Sequence, residues 1–122
     1  MSSGEITLEQ RKASLHYHVQ EYRKRRVIID TDAACEADDP FAIAQALMSK
    51  MLEVKGICAE HFVAEGSMEQ SYEMICRVTE AMGADVSVLR GQTGKMSEHQ
   101  GEPMTEAAQF IICLLYTSEP TR

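Results

Sequence analysis

The sequence predicts an α/β protein: the start of a Rossmann-like, mostly parallel open sheet with helices on both faces and three strands present. Strand-length apolar runs alternate with helical-period stretches in the order α-β-α-β-α-β-α, which implies parallel strands joined by right-handed crossovers. The run Val27-Ile28-Ile29 is continuously apolar, as buried parallel strands are. It leads directly into a loop holding Asp30, Asp32, Glu36, Asp38 and Asp39. Open α/β sheets place their ligands at this kind of strand-to-helix transition.

The 122 residues suffice for one domain at most, with 44% hydrophobic and 25% charged residues as in ordinary globular proteins. A net charge of −7 argues against a general nucleic-acid binder, which would normally be basic. No apolar run approaches the length of a membrane span, so neither nucleic acid nor membrane is an expected partner. The opening M-S-S-G-E-I-T-L-E-Q lacks the basic end and apolar core of a signal peptide, and a cytoplasmic location is expected. Cys35, Cys58, Cys76 and Cys113 show no C-x-x-C spacing, which predicts free thiols in a reducing compartment.

Residues 1–24 read as an N-terminal helical extension. Thr7 and Gln10 form a capping-box pattern, and Leu8, Leu15, Val19 and Tyr22 continue a thin helical stripe to about Lys24. His16 and His18 lie two apart, point to different sides and are expected to be exposed. The basic cluster Arg23-Lys24-Arg25-Arg26 is expected to flank the end of this helix. Residues 27–30 form the first predicted strand. Pro40 suits the first turn of the next helix, with Asp38 or Asp39 as N-cap and Phe41, Ile43, Ala44, Leu47 and Met48 as its buried face.

Residues 52–59 predict a second strand, in which Gly56 allows a neighbour to approach closely. Ser67 and Gln70 predict another capping box. Met68, Tyr72, Ile75, Cys76, Thr79 and Met82 then share one helical face, read as core packing, and Gly83 ends the helix. Residues 85–89 predict a third strand, followed by the loop Arg90-Gly91-Gln92-Thr93-Gly94. Thr105 is expected to cap a last helix with Ala108, Phe110, Ile111, Ile112 and Leu115 as its apolar positions. Three strands make a thin sheet with both edges open.

The acidic loop carries the chemistry. Between Arg26 and Lys50 there is no Lys or Arg, so its five carboxylates have no local basic partner. Such a cluster spreads into water, protonates in part or holds a cation. All-oxygen ligands suit a hard cation, Ca²⁺ or Mg²⁺, rather than zinc or copper. The second and third strands end at the same rim, bringing Glu60-His61 and Arg90-Gly91 near it. A cation held there can acidify a bound water while a carboxylate takes the proton. An EF-hand does not fit, because Cys35 stands where that loop needs glycine and a strand, not a helix, precedes it.

The segment V-I-I-D-T-D-A-A-C-E-A-D-D-P-F-A-I-A-Q-A-L resembles the N-terminal motif of the inosine/uridine-preferring nucleoside hydrolases. The likeness continues through L-E-V-K-G-I-C-A-E-H-F, S-M-E-Q-S-Y-E-M-I, V-S-V-L-R-G and E-A-A-Q-F-I-I. The resemblance implies hydrolysis of the N-glycosidic bond of ribonucleosides, releasing base and ribose, with bound Ca²⁺. By position, Asp32 would be a calcium ligand and the catalytic base that activates water. Asp39 would be a second calcium ligand, Asp38 would bind the ribose hydroxyls, and Asp30 would be a supporting acid close to the metal. Glu60 and His61 stand where the family commonly has an asparagine, and are the candidate further substrate contacts.

The chain departs from the family pattern in three places. The gap between Asp32 and Asp38 is two residues longer than the compact form, as in a divergent branch. The asparagine after the second strand is replaced by Glu60-His61. Family members are also more than twice as long, which makes residues 25–112 the N-terminal part of a truncated hydrolase domain. On that reading the fragment is inactive alone, its remaining calcium ligands and leaving-group acid lie downstream, and the full-length protein can be homo-oligomeric. Residues 113–122, C-L-L-Y-T-S-E-P-T-R, read as a non-native tail resembling translated sequencing adapter. The alternatives are a haloacid-dehalogenase-like phosphatase, which also opens with strand and D-x-D but gives Asp38-Asp39-Pro40 no role, and a non-catalytic metal- or sugar-binding module.

Overall fold

The computed structural model describes residues 5–117. Its elements are α1 (Leu8–Ala13), β1 (Arg25–Thr31), α2 (Asp38–Met48), β2 (Leu52–Ala59), α3 (Ser67–Met82), β3 (Ser87–Arg90) and α4 (Glu106–Thr117), with 3₁₀ turns at Glu21–Arg23 and Met96–Glu98. The sheet order is β1-β2-β3, and both pairings are parallel. An α/β fold with a parallel sheet and flanking helices is therefore what the alternating pattern builds.

The register brings Ile29 opposite Ile57, Asp30 opposite Cys58 and Thr31 opposite Ala59, after a shift between Val27 and Ile28. Because strand side chains alternate, two faces result. Ile57 and Ala59 join Ile43 and Leu47 of α2 and Met68 and Ile75 of α3 in the buried core, with Ile29 packed against it. Gly56 belongs to the other face. A Cβ built there would lie 2.5 Å from the Phe110 ring of α4, so the glycine admits that helix onto the sheet. Helices thus cover both faces.

Several local expectations are met. The capping box of Thr7 and Gln10 is formed, Gly83 ends α3 at φ 69°, and the Thr105 hydroxyl accepts from Ala108 N at 3.1 Å. His16 and His18 are exposed, and the four cysteines are free.

Other expectations are corrected. The first helix stops at Ala13 instead of running to Lys24. Ser14 Oγ donates back to Arg11 O at 2.7 Å, and the following stretch crosses to Lys50. Lys50 Nζ donates to Leu15 O at 2.8 Å and Tyr17 O at 2.6 Å, interactions that a continued helix would forgo. Arg25 and Arg26 belong to β1 rather than to a helix end. Neither Asp38 nor Asp39 is an N-cap: both lie in the first turn of α2, behind Ala37. Phe41 is 76% exposed, because the buried stripe of α2 runs through Ile43 and Leu47.

The second expected capping box is also absent. Gly66 is the N-cap of α3, and the buried Ser67 hydroxyl instead accepts from Phe62 N at 2.8 Å and donates to Phe62 O at 3.1 Å. The third strand starts at Ser87, not Asp85. In α4, Ala107 is the buried position, whereas Leu115 is 69% exposed. Of the expected tail, residues 113–117 continue α4, and 118–122 lie outside the described residues.

Candidate functional site

The C-terminal ends of the three strands form one rim. Glu60 N donates to Thr31 O at 2.8 Å and Gly91 N donates to Ala59 O at 3.0 Å, joining the chain just past β2 and β3 to its neighbours. From this rim the acidic loop rises as a turn closed by Cys35 N donating to Asp32 O at 2.8 Å. Ala33 is fully buried, and Ala34 N donates to the hydroxyl of buried Ser71 on α3 at 3.4 Å. The loop is therefore seated on the core at its start and released to solvent at Cys35, Glu36 and Ala37.

Asp32 and Asp39 are half-buried, while Asp30 and Asp38 are exposed. Asp39 Oδ2 accepts from the Thr31 hydroxyl at 2.6 Å, which ties the first turn of α2 to the end of β1. Asp38 and Asp39 both lie where the helix dipole favours negative charge. The loop's charges converge on Cys35: its thiol is pushed above its ordinary value, first by desolvation and then by Asp32, Glu36, Asp39 and Asp38.

On the opposite sheet face Asp30 meets Glu60. Partial burial, a hydrogen bond with Asp30 and the negative charges of Asp30 and Asp32 push the Glu60 carboxyl up to about 7. These groups stand with Cys58 and His61 at one end of a cleft of about 590 Å³, walled by the loop after β3 and by Ala107, Ala108 and Ile111 of α4. His61 Nδ1 is buried there without a hydrogen-bond partner among the described residues. Cys58, 1% exposed, has its thiol pushed up to about 11 by burial and then by Asp30 and Glu60.

Arg90 reaches the rim through its backbone only. Its Nε pairs with Glu69 Oε2 at 2.7 Å and its guanidinium lies 3.8 Å from the centre of the Tyr72 ring, so its charge is spent on α3. Among the described residues the acidic loop has no basic partner in an ion pair.

Among the described residues no three His, Cys, Asp or Glu side chains stand close enough together to hold a metal ion. The donor set is all carboxylate, which fits the chemistry of a hard cation, but it does not form a closed shell. Thr31 and Ser71, which seat the loop, were not read as site residues. A hydroxyl at the centre of D-x-D and a serine on the buried face of α3 are the available signals.

No protein-family model and no curated protein matches the chain. A solved structure described as "Inosine-Guanosine Nucleoside Hydrolase (IG-NH)" does, with a TM-score of 0.62 and 27% identity over 80% of this chain. The chain spans 36% of the length of that structure. Over most of its own length, the chain therefore resembles a nucleoside hydrolase at fold level and at moderate identity.

Proposed function

We propose that residues 25–112 are part of a domain that hydrolyses the N-glycosidic bond of ribonucleosides with the help of Ca²⁺. The observation that carries this reading is the acidic loop: Asp32, Asp38 and Asp39 follow a parallel strand in a fold similar to that of an inosine-guanosine nucleoside hydrolase.

Asp32, half-buried and without a basic neighbour, takes the proton of the attacking water. Asp38, exposed on the first turn of α2, accepts hydrogen bonds from the ribose hydroxyls. Asp32 and Asp39 would hold Ca²⁺, with Asp30 as a supporting acid. When bound, Ca²⁺ makes the water more acidic and orients it. The ribosyl transition state resembles an oxocarbenium ion, and uncompensated carboxylates beside it stabilise its positive charge. Glu60 and His61 contact the nucleoside from the cleft, where the unpartnered His61 Nδ1 provides a hydrogen-bonding atom.

The reading gives this chain the water-activating and ribose-binding groups but no acid for the departing base. Binding without turnover is therefore expected of the chain alone. Two-dimensional NMR tests this: Ca²⁺ should shift the amides of residues 30–39, and ribose should then shift them further and saturably. Amides that ignore Ca²⁺, or ribose shifts that do not depend on it, would overturn the reading.

A further inference from the structure

β1 lies at an edge of the sheet, paired with β2 on one side. Among the described residues no backbone group of another element bonds to its outer side. Such an edge offers a row of free N–H and C=O groups to any extended chain. The usual safeguards are missing from it. β1 is seven residues long, against four for β3, and contains neither proline nor lysine. Its one irregularity is an extra residue, Lys55, on β2, so β1 itself alternates regularly. Val27, Ile28 and Ile29 at its centre have the sequence of a covered strand but are only half-buried.

The charges of β1 divide between its ends. Arg25 and Arg26 begin the strand, Asp30 follows its apolar run, and all three are exposed. Arg25 donates to the carbonyls of Tyr22 and Lys24 at 3.1 Å, whereas Arg26 enters no ion pair among the described residues. The order Arg-Arg-Val-Ile-Ile-Asp-Thr is therefore complementary to its own reverse. An antiparallel copy centred on Ile28 sets Arg26 opposite Asp30, Val27 opposite Ile29, and Ile28 opposite itself. Residues directly opposite share a sheet face, so every one of these pairs is apolar or oppositely charged. A parallel copy in register would set Arg against Arg and Asp against Asp, which is destabilising. Two-fold symmetry matches such a patch with itself and closes at two copies.

We propose that the outer edge of β1 is an interface with a second copy of this chain, paired as an antiparallel ladder in which Arg26 of each copy meets Asp30 of the other. The surface does not depend on the hydrolase reading. Pairing joins the two sheets into one and brings a guanidinium to the acidic rim, where neither copy supplies one of its own.

The test uses the intact 122-residue chain and its charge-reversed variants Arg26→Glu and Asp30→Arg. Sedimentation equilibrium over a concentration series should show a reversible monomer–dimer equilibrium for the parent. Each variant alone sets like charges opposite, and its dimerisation should weaken by about ten-fold or more. An equimolar mixture of the two variants restores both charge pairs and should form a heterodimer. Slow amide exchange in β2 checks that each variant is folded. Arg26→Ala, which removes the pair without reversing it, serves if a reversed variant does not fold, and should also weaken the dimer. A monomeric parent, assemblies that grow past the dimer, equal association of parent and variants, or a folded mixture that stays monomeric would each overturn the interface.

Discussion

Glu60 shares a hydrogen bond with Asp30 across the ends of two adjacent parallel strands, and its carboxyl is pushed up to about 7 from an ordinary 4.5. The fold therefore favours the protonated form of Glu60. The stability this gives is fully present below about 4.5 and is lost as the pH rises through about 7. Removing the charge should remove that dependence. Glu60→Gln is expected to flatten the difference in urea stability between about pH 5 and about pH 8, by about 1–2 kcal/mol after discounting for solvent screening. An unchanged pH slope in the variant would contradict the pairing.

Gly56 is where α4 meets the sheet, with the Phe110 ring 2.5 Å from the place a Cβ would take. Gly56→Val should cost about 1–3 kcal/mol as an overpacked contact, read as a lower urea midpoint. Phe110→Leu in the same chain should recover part of the loss. Equal stability of Gly56→Val and the parent would show that α4 does not depend on this approach.

At the opposite end of the sheet, Gly83 combines a positive φ of 69° with a packed surrounding. A Cβ there would lie 2.5 Å from Ile6 O, and Leu8 N donates to Gly83 O at 2.9 Å. Gly83→Ala should therefore strain the end of α3 and displace α1 together, at a cost of about 1–3 kcal/mol. Amide exchange should accelerate at Leu8, which a purely local effect on α3 would not do.

Lys50 holds the segment after α1 by two carbonyls, and its ammonium also lies 5.0 Å from the centre of the Tyr17 ring. Lys50→Met keeps the length of the side chain and removes the charge. Limited proteolysis should then cut between residues 14 and 20 several-fold faster, while β1 and β2 remain protected. Unchanged cleavage would mean that the segment is held by something other than this lysine.

The sequence-readable part of the fold is the part governed by local rules. The alternation of strand-length and helical-period stretches located β2 at Leu52–Ala59, glycine chemistry placed the end of α3 at Gly83, and a threonine hydroxyl placed the start of α4. The errors arose where a partner outside the local motif decides. Ser67 resembles an N-cap, yet its hydroxyl is taken by Phe62. The stripe from Leu8 to Tyr22 was broken because Lys50, far along the chain, offers the backbone another partner.

The same division runs through the candidate site. That Asp30, Asp32, Asp38 and Asp39 gather at one strand-to-helix transition was legible from spacing alone. Their different surroundings were not: Asp39 is tied to Thr31, Asp30 faces Glu60 on the other side of the sheet, and Asp32 remains half-buried between them. Only the register of β1 against β2 separates those environments.

We propose the acidic loop as a calcium and ribose site with Asp32 at its centre. Thermal unfolding of the parent and Asp32→Ala across a Ca²⁺ series tests it most directly. Ca²⁺ at about a hundred times its dissociation constant should stabilise the parent by about 2.7 kcal/mol, a rise of several degrees, and leave Asp32→Ala unmoved. A parent melting temperature that ignores Ca²⁺, or an equal rise in both proteins, would contradict the claim.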